Sequence, residues 1–350
     1  MLSSQKKKIY NYFYFLRIIS SFSVVLIHVT DHYYYLAKIN SYNFKISFFY
    51  SGISRFCVPV FFMISGALFL SRDISFKTMY LKYIKNIFIR LIFWSFIYSI
   101  YNTLLSKKNI KKIFVAFIGS HYHLWFLFSI IGLYMLVPFL REITKKNELI
   151  KMFILLSLIF YLIIPNFIIF LSYYSNENSL RLKYLYRRLD LNYISGNIFY
   201  FMLGYYINNI NDMIIVQKIF IYIVGFFGVY FTIGLSYKIA LKNKNNRFFS
   251  PRHLNIAAYS AMIFLFIKNL FNNNKFYTKY NFSKIISKNT FGIYLIHPLI
   301  LENKELKIFE KALSIKLIFR IPLITFLIYL SSLFISIIIK YIPLIGNYLV

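Results

Sequence analysis

The chain contains apolar runs that are long enough to cross a lipid bilayer. A membrane-spanning helix needs about 20 mostly apolar residues, and about ten segments of this sequence meet or approach that length. In chain order they are Tyr10–Val29, Ile46–Leu70, Ile87–Leu105, Leu124–Leu140, Leu149–Leu171, Ile194–Asn208, Ile214–Ser236, Ile256–Phe271, Ile285–Leu301 and Phe319–Tyr341. The pattern predicts an all-α, polytopic integral membrane helix bundle with about ten transmembrane helices, in a single transmembrane domain over residues 1–350.

Composition and charge support the same interpretation. Hydrophobic residues make up 59% of the chain and charged residues 15%, whereas soluble domains have about 45–50% and about 25%. The formal net charge of +31 comes from Lys and Arg in the gaps between apolar runs, where such residues face lipid headgroups. We therefore expect membrane lipids, and not nucleic acid, as partners of these cations. The single cysteine, Cys57, excludes an internal disulfide and a thiolate metal cluster.

The distribution of basic residues does not by itself decide the orientation of the chain. Lys and Arg are about equally frequent in the loops of both sides, so the positive-inside rule has no clear outcome. Lys6, Lys7 and Lys8 beside the first run favour a cytoplasmic amino end. Motifs of several enzyme classes are absent from the sequence, namely a phosphate-binding loop, a Gly-x-Ser-x-Gly elbow and a His-Glu-x-x-His zinc pair.

Two ionisable residues, Arg17 and His28, lie in the first apolar run. An ionisable side chain within a span costs at least about 2.5 kcal/mol, so such residues are functional candidates. Their separation of 11 residues equals three helical turns plus about 20°, which places both on one face, about 16 Å apart. Ser20 and Ser21 continue this polar stripe. Alternatively, Arg17 and His28 lie near the two interfaces and merely cap the span.

His28 is the obvious general base of this helix, because imidazole titrates near neutral pH. Asp31 is three positions further along the chain, close enough to orient the imidazole. The alternative, which we prefer from the sequence, is that Asp31 begins the outer loop.

Further cations flank the second and third runs. Arg55 precedes Pro59, and a proline in a span bends the helix and suits a cavity wall. Lys82, Lys85 and Arg90 form a basic cluster at the start of the third run. These three are candidates for binding phosphate, which arginine contacts bidentately. Their alternative role is ordinary headgroup anchoring.

Histidines and aromatic residues mark two later segments. His121 and His123 stand with Trp125 at the start of the fourth run, and Tyr294 and His297 share a helix face in the ninth. A metal site at the histidine pair is not favoured, because no carboxylate or third ligand lies nearby in the sequence. Tryptophan at such a position is most often an interface residue, and a single histidine such as His297 is more often buried and hydrogen-bonded than catalytic.

Four segments together resemble membrane-bound acyltransferase family 3. The family's Arg-x10-His signature is matched by FLRIISSFSVVLIH, with Arg17 and His28 in the required places. Its second helix, fourth-helix signature and late signature are similar to SRFCVPVFFMISGALFL, HLWFLFSIIGLYMLVPFL and TFGIYLIHP. The chain resembles in particular the shorter members, which O-acetylate cell-surface polysaccharides and carry no extracytoplasmic domain.

The resemblance implies a reaction and a set of roles. An acetyl group would pass from cytoplasmic acetyl-CoA, without a metal cofactor, to a hydroxyl of a cell-surface polysaccharide or its lipid-linked precursor, at the bacterial inner membrane. The implied catalytic residues are His28 and Arg17, and the implied coenzyme-binding residues are Arg90, Lys85 and Lys82. The candidates for the substrate cavity are Arg55, His123, Trp125, Tyr294 and His297.

Two questions stay open. The start of the third run departs from the family's double-arginine pattern, which leaves the phosphate ligands undecided. The alternative function is a glycan exporter or flippase that shares the fold, which would need a continuous pathway and no general base.

Overall fold

The computed structural model describes residues 2–105, 112–191, 196–209, 214–242, 244, 248–272, 281–303, 314–343 and 346–350. Regular secondary structure within these ranges is helical, and they contain no strand, which confirms the predicted all-α class. In chain order the α-helices of the described ranges are α1 (Leu2–Leu36), α2 (Tyr42–Ser54), α3 (Cys57–Phe69), α4 (Phe76–Thr78), α5 (Lys85–Leu105), α6 (Lys112–Gly119), α7 (Trp125–Thr144), α8 (Asn147–Ser157), α9 (Ile164–Ser172), α10 (Asn176–Arg188), α11 (Ile198–Asn209), α12 (Ile215–Tyr230), α13 (Ser236–Lys242), α14 (Leu254–Asn272), α15 (Asn281–Leu301), α16 (Leu317–Lys340) and α17 (Gly346–Leu349). The π-helical turns Met79–Ile84, Leu158–Ile163 and Phe231–Leu235 join α4 to α5, α8 to α9 and α12 to α13.

Eight stretches within the described residues are helical, long and apolar enough to cross a membrane. They are Tyr12–Leu36, Tyr42–Phe69, Phe76–Leu104, Ile113–Thr144, Asn147–Ser172, Ile215–Lys242, Leu254–Phe271 and Leu317–Lys340. The chain is therefore a multi-pass membrane protein. The start of the sixth predicted run, Ile194–Asn208, lies outside the described residues, and its described part contains α11, which has only 12 residues. The ninth run is helical, but α15 begins with polar residues that lower its apolarity.

The chain divides into two compact units. Unit 1 contains Met1–Arg72 and Leu140–Ser283, and unit 2 contains Asp73–Phe139 and Lys284–Val350. The expectation of a single domain over residues 1–350 stays a prediction.

The second span is interrupted in unit 1, where Pro59 acts on the preceding turn. Helix α2 ends at Ser54 and α3 begins at Cys57. Proline has no amide hydrogen, and its ring excludes the carbonyl of the residue four positions earlier, here Arg55. The helix is therefore interrupted at Arg55 and Phe56, close to the proline at which the sequence predicts a bend.

Helices α3 and α11 of unit 1 touch through their backbones at two glycines. A Cβ on Gly66 would lie 1.8 Å from the carbonyl oxygen of Phe201, and a Cβ on Gly204 would lie 2.1 Å from that of Met63. Only glycine fits at either position. Close approach of this kind lets dispersion forces hold membrane helices together, since lipid gives no hydrophobic driving force between them.

The core of unit 2 is built around aromatic residues of α5. Trp94 and Tyr98 are buried with Leu127 of α7 and with Leu295 and Ile296 of α15. The Tyr98 hydroxyl donates a hydrogen bond of 2.7 Å to the carbonyl oxygen of Leu295. This packing fixes α15, which carries His297, and α7, whose start His121 and His123 precede.

Candidate functional site

Arg17 and His28 lie on the single unbroken helix α1, so their predicted placement on one face is retained. Both side chains are half-buried, whereas Ser20 and Ser21 between them are 0% and 2% exposed. In unit 1, α1 packs against α2, α3 and α14. The stripe therefore borders the packed interior of unit 1. His28 also lies well inside the apolar stretch Tyr12–Leu36, which disfavours a simple role in capping the span.

Asp31 forms an ion pair with Arg55. A terminal nitrogen of Arg55 lies 3.0 Å and 3.2 Å from the two carboxylate oxygens of Asp31. The Ser51 hydroxyl donates to Asp31 over 3.1 Å and accepts from Arg55 over 2.5 Å. The guanidinium of Arg55 also lies 5.0 Å from the centre of the Phe249 ring. The two charges thus compensate each other at membrane depth.

The turn between α1 and α2 brings this pair together. Helix α1 continues to Leu36, so the preferred interpretation that Asp31 begins a loop is wrong. The chain reverses at Asn40, whose φ of 63° is a left-handed conformation that asparagine tolerates better than most residues. Ser41 then caps α2 by accepting a 3.2 Å hydrogen bond from the Phe44 amide. The contacts described for Arg55 anchor α2 to α1, and its role in a substrate cavity stays a prediction.

The three basic residues predicted to bind coenzyme differ in their surroundings within unit 2. Lys82 and Lys85 are exposed, and Arg90 is half-buried. A terminal nitrogen of Arg90 donates to the main-chain oxygen of Val350 over 3.3 Å, and its guanidinium lies 5.3 Å from the centre of the Phe291 ring. Arg90 therefore holds the segment after α16 in place, which leaves the two lysines as the accessible cations of the group.

Trp94, one turn after Arg90, continues this contact. Its indole nitrogen donates to the main-chain oxygen of Leu349 over 2.8 Å. Trp94 also borders an apolar cavity of about 690 Å³ in unit 2. The residues that line the cavity are Phe93, Trp94, Ile97, Ile296, Leu299, Ile300, Asn303, Ile335, Ile339, Ile342 and Leu349. Such a lining suits hydrocarbon and not a charged group.

Unit 2 also contains a group of buried histidines, which we call the histidine cluster: Tyr98, His121, His123, Tyr294, His297 and Glu302. His121, His123 and His297 are 6%, 2% and 0% exposed. The Nδ1 atoms of His121 and His123 lie 2.6 Å apart, and Nε2 of His121 lies 3.4 Å from Oε1 of Glu302. The cluster therefore joins two buried imidazoles to a carboxylate.

Aromatic contacts complete the histidine cluster. The ring of Tyr98 stacks on His121 with 4.1 Å between centroids. The ring of His123 lies 5.3 Å from Tyr294 and 5.8 Å from His297, and the Tyr294 hydroxyl donates to the His123 carbonyl oxygen. The Nδ1 atom of His297 lies 3.1 Å from the carbonyl oxygen of Ile293. Three of the predicted cavity residues, His123, Tyr294 and His297, are thus brought together.

Trp125 differs from the other residues predicted for the cavity. Its side chain is 45% exposed, which is typical of an aromatic residue at a membrane interface. Its role in substrate binding stays a prediction.

Glu302 and Tyr98 are members of the cluster that sequence reasoning did not identify. Glu302 follows His121 by 181 positions (302 minus 121), so no local pattern indicates the contact. No carboxylate lies near His121 in the sequence, and the fold places that of Glu302 beside it. Among the residues that the structure describes, no group of three or more His, Cys, Asp or Glu side chains is arranged to hold a metal ion.

Comparison with known proteins gives one match. The family model described as an acyltransferase domain matches residues 10–342, nearly the whole chain. The match includes both Arg17 and His28 and the full histidine cluster. Neither the curated proteins nor the solved structures give a match.

Proposed function

Because the chain belongs to membrane-bound acyltransferase family 3, we propose that it transfers an acetyl group from cytoplasmic acetyl-CoA to a hydroxyl of a cell-surface polysaccharide or its lipid-linked precursor. The observation that carries this proposal is the pair of ionisable residues, Arg17 and His28, on one face of α1 within the matched family domain. The amino end is cytoplasmic and the membrane is the inner membrane of a bacterium. Besides the glycan acceptor and acetyl-CoA, its partners are membrane lipids.

His28 acts as the general base in the proposed reaction. A sugar hydroxyl is a weak nucleophile, and a neutral imidazole can take its proton as the oxygen attacks the thioester carbonyl. The bond that forms joins the hydroxyl oxygen to the acyl carbon, and the bond that breaks joins this carbon to sulfur. The hydroxyl proton passes to His28, and one proton, from His28 or from water, is taken up by the departing thiolate. A placed acid or base of this kind contributes about 10²–10⁴-fold to the rate.

Arg17 positions or neutralises a charged or carbonyl group of the donor. It lies about 16 Å from His28 along the helix axis, too far for one small group to touch both side chains. The buried serines between the two residues support a continuous polar face. A planar guanidinium binds a phosphate or carbonyl through two hydrogen bonds, which a lysine cannot reproduce.

Lys82 and Lys85 attract the phosphates of the coenzyme. Both side chains are exposed and lie in the first three turns of the helical stretch Phe76–Leu104. Arg90 contributes through the general positive potential and through its hold on Val350. Attraction between exposed charges is screened by salt, so its contribution appears mainly in the apparent affinity for the donor.

A single replacement tests the proposal, with a matched control on the same helix. His28→Ala should lower kcat by about 10²–10⁴-fold while membrane levels stay unchanged. His32→Ala removes an exposed imidazole one turn further along α1 and should leave the rate unaffected. The measurement is the transfer of labelled acetyl from acetyl-CoA to cell-envelope polysaccharide in isolated membranes.

Wild-type transfer by the His28→Ala protein would overturn the role of His28. If the unaltered protein itself transfers no acetyl but moves glycan across vesicle membranes, the exporter interpretation would replace the proposed reaction.

A further inference from the structure

Three ionisable side chains of the histidine cluster form a continuous line in unit 2. The Glu302 carboxylate, with 27% of its side chain exposed, lies 3.4 Å from Nε2 of His121. The other nitrogen of that ring, Nδ1, lies 2.6 Å from Nδ1 of His123. His123 is 2% exposed. The line therefore leads from a partly exposed carboxylate to a deeply buried imidazole.

The charge of Glu302 favours one arrangement of the hydrogens. An ionised carboxylate attracts an N–H group and repels a lone pair, so at 3.4 Å it favours the form of His121 that carries its hydrogen on the nitrogen facing Glu302. In a neutral imidazole the other nitrogen then has a lone pair, and Nδ1 of His121 is the acceptor. A separation of 2.6 Å between two ring nitrogens requires one shared hydrogen, which Nδ1 of His123 supplies. Nε2 of His123 is consequently left as a basic atom.

Neutral side chains surround the two imidazoles, which favours the passage of a proton from one ring to the other over a full positive charge that stays on one ring. Tyr98 stacks on His121, and Tyr122, Tyr294 and His297 lie around His123. These neighbours are neutral when tyrosine is protonated and His297 is unprotonated, so Glu302 supplies the negative charge that faces the pair. An imidazolium at His123 would share its charge through Nδ1 with His121 and the carboxylate.

We propose that His123, His121 and Glu302 form a proton relay between a buried group at Nε2 of His123 and water at Glu302. A proton arrives on Nε2 of His123, the Nδ1 proton of His123 moves to Nδ1 of His121, and the Nε2 proton of His121 moves to Glu302. The carboxyl group then releases one proton to water. The reverse sequence supplies a proton and restores both tautomers.

The use of this proton rests on the proposed acyl transfer. That reaction takes a proton from a hydroxyl and gives one to a departing thiolate, so it requires proton carriers. The arrangement of hydrogens in the relay does not depend on acyl transfer and is measurable without substrate.

Nitrogen-15 NMR of the full chain in lipid bilayers tests the arrangement directly. The protein has 6 histidines, and single His→Gln variants assign the signals. We expect His121 in the Nε2–H form and His123 in the Nδ1–H form at neutral pH, with a through-hydrogen coupling between their Nδ1 atoms. Both rings in the Nε2–H form, without that coupling, would overturn the proposal.

Two replacements of Glu302 separate its proton-accepting carboxylate from its acceptor oxygen. Glu302→Gln keeps an acceptor oxygen but cannot take up the proton of the relay, so the tautomers should persist. Glu302→Leu should abolish the preference for the Nε2–H form of His121. Glu142→Gln, which alters an exposed carboxylate paired with Lys145, should leave the tautomers unchanged. Tautomers that are the same in the Glu302→Leu and unaltered proteins would contradict the relay.

Activity gives the link to the reaction. In Glu302→Gln kcat should fall about tenfold if the relay carries the reaction's proton, because the amide cannot take up a proton, whereas Glu142→Gln should leave kcat unchanged. An unchanged kcat in Glu302→Gln would overturn the relay's part in acyl transfer. The expected NMR pattern in a protein that transfers no acetyl would instead overturn the proposed function and leave the relay standing.

Discussion

The ion pair between Asp31 and Arg55 makes a quantitative prediction about unit 1. The perturbation is a double-mutant cycle of Asp31→Ala, Arg55→Ala and the double variant. Each single replacement leaves one charge at membrane depth with only Ser51 and other polar neighbours, so each should destabilise the protein. The double variant removes both charges and should cost less than the two single costs added together.

The expected coupling energy follows from geometry and exposure. At a separation of 3.0 Å, an effective dielectric constant of about 20 gives a gross attraction of about 5 kcal/mol. The two side chains are 17% and 24% exposed, so desolvation and screening remove part of this. Exposed pairs contribute about 0.2–1 kcal/mol, and breaking a fully buried pair costs about 3–5 kcal/mol. We therefore expect a coupling of about 2 kcal/mol.

The chain offers a matched control in Glu177 and Arg181, whose side chains are both 74% exposed. A parallel cycle on this pair should give a coupling of only about 0.3–0.5 kcal/mol. The assay is equilibrium unfolding of the purified protein in mixed detergent micelles, with helicity as the signal. Additivity within about 0.5 kcal/mol for Asp31 and Arg55 would refute the inference that the pair stabilises the α1–α2 contact.

Three further predictions concern the donor, Arg17 and pH. Replacing Lys82 and Lys85 together by Gln should raise the KM for acetyl-CoA several-fold at low salt with little change in kcat, whereas Lys145→Gln should leave the KM unchanged. Equal KM values in the double variant and the unaltered protein would mean that the two lysines only anchor the helix at lipid headgroups. Adding Arg90→Gln should also loosen the contact with Val350. Arg17→Lys should fail to support acetyl transfer although it keeps the charge, and wild-type kcat in that variant would exclude a bidentate contact. Burial lowers the pKa of His253 to about 4, whereas a histidine of the unfolded chain has a pKa of about 6.5. As the pH falls, the unfolded chain therefore takes up a proton on this residue before the folded protein does. The free energy of unfolding should fall by up to about 3 kcal/mol between about pH 6.5 and about pH 4. Unfolding measured against pH should show a shallower fall in His253→Asn, and an identical fall in both proteins would contradict this.

Properties that depend on neighbouring residues of one segment were predictable. Apolar runs of bilayer length indicate membrane helices, because every backbone polar group in lipid must be satisfied within the segment. Arg17 and His28 share a face because helical geometry relates residues 11 positions apart. The break before Pro59 follows from the missing amide hydrogen and the ring of proline itself.

Local patterns were less accurate for the end of α1 and for the number of helices that are apolar enough to cross a membrane. The polar residue Asp31 suggested the start of a loop, yet α1 continues to Leu36. Asp31 is paired there with Arg55, which directly follows α2. The run Ile285–Leu301 lies in the helix Asn281–Leu301, which falls short in apolarity since Lys284 and Lys288 lie in its first turns.

Contacts between distant segments were decided by the tertiary structure alone. Asp31 meets Arg55 through the reversal of the chain between α1 and α2, Arg90 meets Val350, and His121 meets Glu302. Lipid is as apolar as the helix surfaces, so hydropathy places helices in the membrane without determining which of them pack together. The sequence by itself thus determined a multi-pass helical protein with Arg17 and His28 on one helix face. Only helix packing decided that Arg55 pairs with Asp31, that Arg90 contacts Val350, and that two histidines and a carboxylate lie in one line.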